Sequence, residues 1–194
     1  MSNLLDDFMG SMGSQVTSQL SSKLGIDNKT AGAIIPQVLP MILGGLKKQK
    51  DEWGGAERVD HILNKYGSSS VLDDIGGLFA SKAEDPNPDP ALGGLLGDAG
   101  VQASNLFGKQ FNLDGSTAAK IIPMLAPVVL GFLTKKRDAG AGSSGIASLL
   151  DQDGDGSVLD DVAGFLMSGL GGSSSQKKGG LLGGLLGSLL GGKK

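Results

Sequence analysis

The sequence predicts an all-α protein of two tandem homologous multihelical units, and three observations carry that expectation. The segment TAGAIIPQVLPMILGGLKK at 30–48 returns without a gap as TAAKIIPMLAPVVLGFLTK at 117–135, and SVLDDIGGLFAS at 70–81 returns at the same offset as SVLDDVAGFLMS at 157–168. Apolar residues recur three or four apart through most of the chain, the spacing of a helix face rather than a strand. The apolar mass is Leu, Ala, Val and Ile with 34 glycines, one Trp and one Tyr, which suits close-packed helices better than a β-sandwich.

Each unit reads as about four helices. Leu4, Leu5, Phe8, Met9, Met12, Val16, Leu20 and Leu24 form the amphipathic stripe of the first, and Gly25 ends it as a left-handed cap. Asp27 is the expected N-cap of the second, with Ile26 placed as a hydrophobic staple. That second helix contains Pro36 and Pro40, matched by Pro123 and Pro127. A proline inside a helix removes a hydrogen bond and clashes one turn back at a cost of about 3 kcal/mol, so a kink or break is expected near Ile35 and Ile122. The third helix places Val59, Ile62, Leu63 and Tyr66 on one face and stops at Gly67. The fourth opens on Ser70 and Asp73, spaced as a capping box, as Ser157 and Asp160 are in the second copy.

These features divide the chain into a first helical repeat at 1–83, a Pro-rich linker at 84–90, a second repeat at 91–170, and a Gly/Ser spacer with a Leu/Gly tail at 171–194. The linker sequence EDPNPDP forbids a helix and reads as a fairly stiff exposed connection.

The IIPxxxP helix, the Gly- and Leu-rich segments and DGDGSVLDD resemble the bacterial family called domain of unknown function 937, the YidB-like proteins. The resemblance covers both copies and implies a multihelical fold and a bacterial origin. It brings no activity, so no catalytic residue is carried over.

The run LLDQDGDGSVLDD at 149–161 has two readings. Calcium needs six to eight oxygens, with carboxylates at alternate positions of a tight loop, glycine at the sixth and a carbonyl at the seventh. Asp151, Asp153, Asp155, Gly156 and Ser157 follow that order between two apolar helices. The twelfth position holds Val162 where an EF-hand has Glu, so Asp160 and Asp161 would have to close a shortened site. The other reading is a solvated turn leading into a capped helix. The first copy keeps Asp73 and Asp74 but has Asn64, Tyr66 and Ser68 in place of the three loop aspartates, which makes capping the role the paired acids share.

Other signals narrow the function. With 17 basic against 20 acidic residues, no large positive field awaits nucleic acid. The absence of cysteine removes thiol nucleophiles and cysteine metal sites, and a single histidine, His61, removes most two-histidine zinc sites. His61 is expected to be structural. GAGSSG at 140–145 fits the dinucleotide fingerprint by letter, but it follows a basic helix end where that fingerprint needs a strand, so an inter-helix loop is expected. The clusters Lys47, Lys48, Lys50 and Lys135, Lys136, Arg137 end the second helix of each unit, where cations complement the helix dipole. A weak contact with lipid or phosphate is the alternative.

No stretch is expected to approach the roughly 18 apolar residues of a membrane span, and Asp6 and Asp7 replace the basic start of a signal peptide, so a cytoplasmic location is expected. The tail LLGGLLGSLLGG would gather six leucines on one broad side of a helix about 15 to 18 Å long, too short to span a bilayer. It needs a partner to become ordered, because each glycine costs about 1 kcal/mol relative to alanine. The expectation is therefore a non-enzymatic structural or protein-interaction module that binds a protein partner or itself, with calcium as its one candidate cofactor. The alternative is a peripheral membrane-surface contact through the tail and the lysines.

Overall fold

The structure, a computed structural model, describes residues 4–85 and 98–151, and among these it contains helices and no strand. The N-terminal stripe folds as α1 (Leu4–Phe8), a π-helical segment (Met9–Gly13) and α2 (Ser14–Leu24). The predicted residues all lie in or against the core. Steps of four residues drift around an α-helix of about 3.6 residues per turn, and the wider π turn absorbs that drift, keeping Phe8, Val16 and Leu20 inside. Gly25 then reverses the chain with φ 66°.

Asp27 caps α3 (Asn28–Trp53) by accepting from the Thr30 amide at 2.9 Å and the Thr30 hydroxyl at 2.6 Å. At the corresponding place after α6 (Asp98–Gln110), Asn112 takes the left-handed turn with φ 51°. Asp114 then caps α7 (Gly115–Lys136) through the Thr117 amide at 2.9 Å. Asparagine is the residue that best tolerates this conformation after glycine.

Of the kink or break expected at the prolines, the break does not occur: α3 runs unbroken through Pro36 and Pro40, and α7 through Pro123 and Pro127. Each proline costs about 3 kcal/mol, but Ile34, Ile35, Val38, Leu39 and Ile42 are at most 2% exposed. Burying such side chains stabilises by about 1.5–3 kcal/mol each. Packing on both sides of each defect therefore exceeds its cost.

Gly54 and Gly55 turn the chain from α3 into α4 (Gly55–Tyr66), which buries Val59, Ile62 and Leu63 as predicted. The predicted capping box is displaced. Ser68 caps a 3-10 turn (Ser69–Leu72), and Asp74, not Ser70, caps α5 (Ile75–Glu84) by accepting from the Gly77 amide at 2.8 Å. The triplet of serines offers a choice of caps, and the short 3-10 turn moves the helix start four residues on.

In the second half α7 passes into a π-helical segment (Arg137–Ala141) that kinks at Gly140, with φ 117°, and then into α8 (Gly142–Asp151). The expected loop at 140–145 is thus shortened to a turn at Gly140 and Gly142, the latter with φ 62°, followed by the first turn of α8.

The centre of the molecule is α7. Every residue from Met124 to Thr134 is buried, the state of a helix apolar all round. Around it lie α6, α4, the 3-10 turn, α5 and α3, while α8 packs on both α3 and α4. A single hydrophobic core therefore joins Phe8, Leu20, Ile42 and Phe79 with Phe107, Leu125, Leu133 and Ile146. By length and composition, α3 and the run Gly115–Leu150 are long and apolar enough to cross a membrane, contrary to the expectation from sequence. The prolines, glycines and Lys120 interrupt the apolar run without lowering its mean much. Of the two apolar windows 56% and 78% is buried inside the protein, as in core helices of a folded domain.

Candidate functional site

Asp151 closes α8, and nothing further of it is described. Asp153, Asp155, Ser157, Asp160 and Asp161 lie outside the described residues, as do the remainder of the linker from 86 and the tail at 171–194. Among the described residues, no group of three or more His, Cys, Asp or Glu stands close enough to hold a metal ion.

The positions that match the aspartate loop in the first half are described, and each has a structural task. Asn64 accepts from the Arg137 guanidinium at 2.9 Å. Tyr66 is half-buried against the core, and the Ser68 hydroxyl caps the 3-10 turn and meets the Ser70 hydroxyl at 2.7 Å. Asp74 caps α5, whereas Asp73 sits at the end of the 3-10 turn and its amide donates to the Ser70 carbonyl at 3.1 Å. Of the paired acids, one caps a helix and the other follows a turn.

Two polar joints tie the halves together. At the first, Arg137 donates to Asp60 at 3.0 Å and Asn64 on α4 and to Asp138 beside it at 2.9 Å, while the Ser143 hydroxyl of α8 donates to Asp60. The Asp138 and Asp60 carboxylates raise the guanidinium pKa against the opposing effect of burial, so Arg137 is a fixed positive charge. At the second, Lys136 pairs with Asp7 and lies 5.5 Å over the Phe132 ring, which meets Phe8 edge-on at 5.3 Å between centroids. Lys120 adds a third tie by donating to the Ala83 carbonyl near the end of α5 at 2.6 Å.

Between the joints the backbones touch. A Cβ on Gly131 would lie 2.8 Å from the Ser68 carbonyl oxygen and from Val71 Cγ2, and one on Gly67 would lie 2.8 Å from the Leu130 carbonyl oxygen and Thr134 Oγ1. Gly67 has φ −110°, so what it supplies is room rather than a special turn. The two glycines let the segment after α4 lie directly on α7.

The lysines at the end of α3 are paired along the helix. Lys47 and Lys50 meet Asp51 at 2.7 and 3.3 Å, and Lys48 meets Glu52 at 4.0 Å. Lys47 first, then Lys50, holds the Asp51 carboxyl below its ordinary range. His61 is exposed on α4. Trp53 is 67% exposed at the turn between α3 and α4.

Sequence reasoning read Arg137 as a complement to a helix dipole and missed its joint with Asp60 and Ser143. A signal was present, because these residues depart from the repeat: Lys50, Ala147 and Ala56 stand where Arg137, Asp60 and Ser143 would be matched.

Fold and site together define a protein that is helical over its described residues, in which Asp7, Asp27, Asp60, Asp74, Asp114, Lys136 and Arg137 serve as caps and inter-helix joints. The chain belongs to the family described as bacterial protein of unknown function (DUF937), whose model matches residues 6–136. That match runs from α1 to the end of α7 and so takes in both proline-containing helices. No curated protein and no solved structure matches the chain.

Proposed function

We propose that the protein is a non-enzymatic structural or interaction module of the bacterial cytoplasm, in which two homologous helical units are wound into one body that presents a C-terminal segment to a partner or to a second copy. The observation that supports this reading is the burial of α7 at the centre of one core, against α3, α4, α5 and the 3-10 turn of the first half as well as α6 of the second. The 87-residue correspondence of Gly25–Asp27 with Asn112–Asp114, in sequence and in capping, supports the two-unit origin. The use of Asp7, Asp27, Asp60, Asp74, Asp114 and Arg137 as caps and ties supports a scaffold over a catalyst. The tail at 171–194, rich in Leu and Gly, is the segment proposed to associate.

Light scattering tests the reading: full-length protein forms a larger species than a chain ending at Gly172, and equal monomeric mass for both would remove the tail as an assembly element. Calcium is proposed to stiffen the loop from Asp151 to Asp161. A calorimetric titration gives heat that Asp153→Ala abolishes, and a heatless titration would remove calcium from the account. Co-flotation of the full-length protein with anionic vesicles would replace self-association by a membrane-surface role. The pairing of Lys47, Lys48 and Lys50 with their own helix's acids argues against that outcome.

A further inference from the structure

The corner between α7 and α8 is made by two backbone conformations that glycine alone adopts readily. Lys136 and Arg137 keep helical angles, and within Arg137–Ala141 only Gly140 departs from them, at φ 117° and ψ −3°. Gly142 follows at φ 62° and ψ 174°, a region that residues with a Cβ avoid. Both glycines are exposed, and a Cβ on either would meet nothing within 4 Å. The backbone angles of two residues therefore separate this corner from one long helix running from α7 into α8.

The surface that holds α8 lies far from it in sequence. In the first unit the third helix, α4, packs on the helix before it, α3. In the second unit α8 does otherwise: it packs chiefly on α3 and α4 and much less on α7. Ile146 and Leu150 are buried in the common core, and the Ser143 hydroxyl donates to Asp60 on α4. The same α8 belonging to a second copy would find the same contacts on α3 and α4, because only the corner ties α8 to its own α7. Opening without a second copy would leave Ile146 and Leu150 in water and uncover α3 and α4.

We propose that the α7–α8 corner is a hinge through which two copies of the chain exchange α8. The closed monomer and the exchanged dimer share the contacts of α8 with α3 and α4 and differ at Gly140 and Gly142. The partner is thus a second copy, held through Ile146, Leu150 and the Ser143–Asp60 pair. This association does not use the tail at 171–194, so it stands or falls apart from the one proposed above.

Light scattering of the full-length protein tests the exchange. Wild type held at high concentration and then diluted is expected to keep a dimer fraction that converts to monomer only when the protein is unfolded and refolded dilute. Gly140→Ala combined with Gly142→Ala strains the closed corner and suits a straight helix, so the ratio of dimer to monomer is expected to rise about tenfold or more. A mixture provides a second arm should that double variant fail to fold. Asp60→Arg in one chain and Ser143→Asp in another each mismatch the pair within their own chain; exchange of α8 between them gives one native pair and one pair of opposite charges. Refolded together, the two chains are expected to form a one-to-one heterodimer. Wild type that stays monomeric at every concentration, a folded double variant with the wild-type ratio, or a mixture without heterodimer overturns the exchange. Association that disperses on dilution and is equal in wild type and double variant also overturns it, and leaves the tail as the assembly element; loss of association with the tail alone would test only that other reading.

Discussion

Arg137 Nη1 donates to Asp60 Oδ1 at 3.0 Å across 77 residues of sequence, and the same nitrogen reaches Asn64 at 2.9 Å. One guanidinium thus fastens the end of α7 to the outer turns of α4. The Arg137 side chain is 14% exposed and that of Asp60 31%, which places the pair between the negligible surface bridge and the costly buried one. Arg137→Ala is expected to destabilise by about 1–2 kcal/mol, read by urea denaturation. Asp60→Ala also deprives Ser143 of its acceptor and should cost at least as much.

Glycine at 131 is required by contact. Alanine has the better helix propensity by about 1 kcal/mol, but its Cβ would meet the Ser68 carbonyl oxygen at 2.8 Å. Gly131→Ala should therefore destabilise by about 1–3 kcal/mol. Gly32→Ala, whose Cβ finds only Thr17 Cγ2 at 3.8 Å, should stabilise by about 0.5–1 kcal/mol. Thermal unfolding of the two variants gives shifts of opposite sign if the contact is as described.

Thr134 Oγ1 is buried with no hydrogen-bond partner. Burying an unpaired hydroxyl costs about 1–3 kcal/mol on protein scales. Thr134→Val keeps the shape and removes the polar atom, so chemical denaturation should show stability unchanged or raised by about 1 kcal/mol. A loss of 1 kcal/mol or more would mean that the hydroxyl has a partner.

Two caps make stability depend on acid. The hydroxyls of Ser116 and Thr117, and then the Thr117 amide, hold the Asp114 carboxyl well below its ordinary 3.8. The Thr30 hydroxyl and amide also lower the Asp27 carboxyl below its ordinary value. Folded-state values lie below unfolded ones, so both contributions are complete above about pH 4 and are lost as pH falls through the lowered values. Carbon-13 titration should find the Asp114 carboxyl still ionised at pH 3 and that of Asp27 titrating below 3.8, and Thr117→Val should return Asp114 toward 3.8.

What the sequence disclosed was local. Apolar spacing located α2, α3, α4 and α7, Gly25 and Gly67 marked helix ends, and Asp27 was legible as a cap because an Asp before an amphipathic run has one common use. The unbroken helices through Pro36 and Pro123 were not legible, because the packing that offsets a proline comes from distant segments such as α2 and α5 on α7. Ser70 was mistaken for a cap because the choice among three adjacent serines depends on where Val71 and Leu72 pack. Asp60 and Arg137 appeared unrelated because only the crossing of α4 on α7 brings them together. The aspartate loop, which the sequence made most conspicuous, is also where the described residues end, at Asp151.

The central claim is that the two halves form one cooperative body around α7, and differential scanning calorimetry of the full-length protein tests it most directly. The account predicts a single transition whose calorimetric and van't Hoff enthalpies agree, and which Gly131→Ala shifts as a whole. Two resolved transitions, with Gly131→Ala moving only one of them, would contradict it.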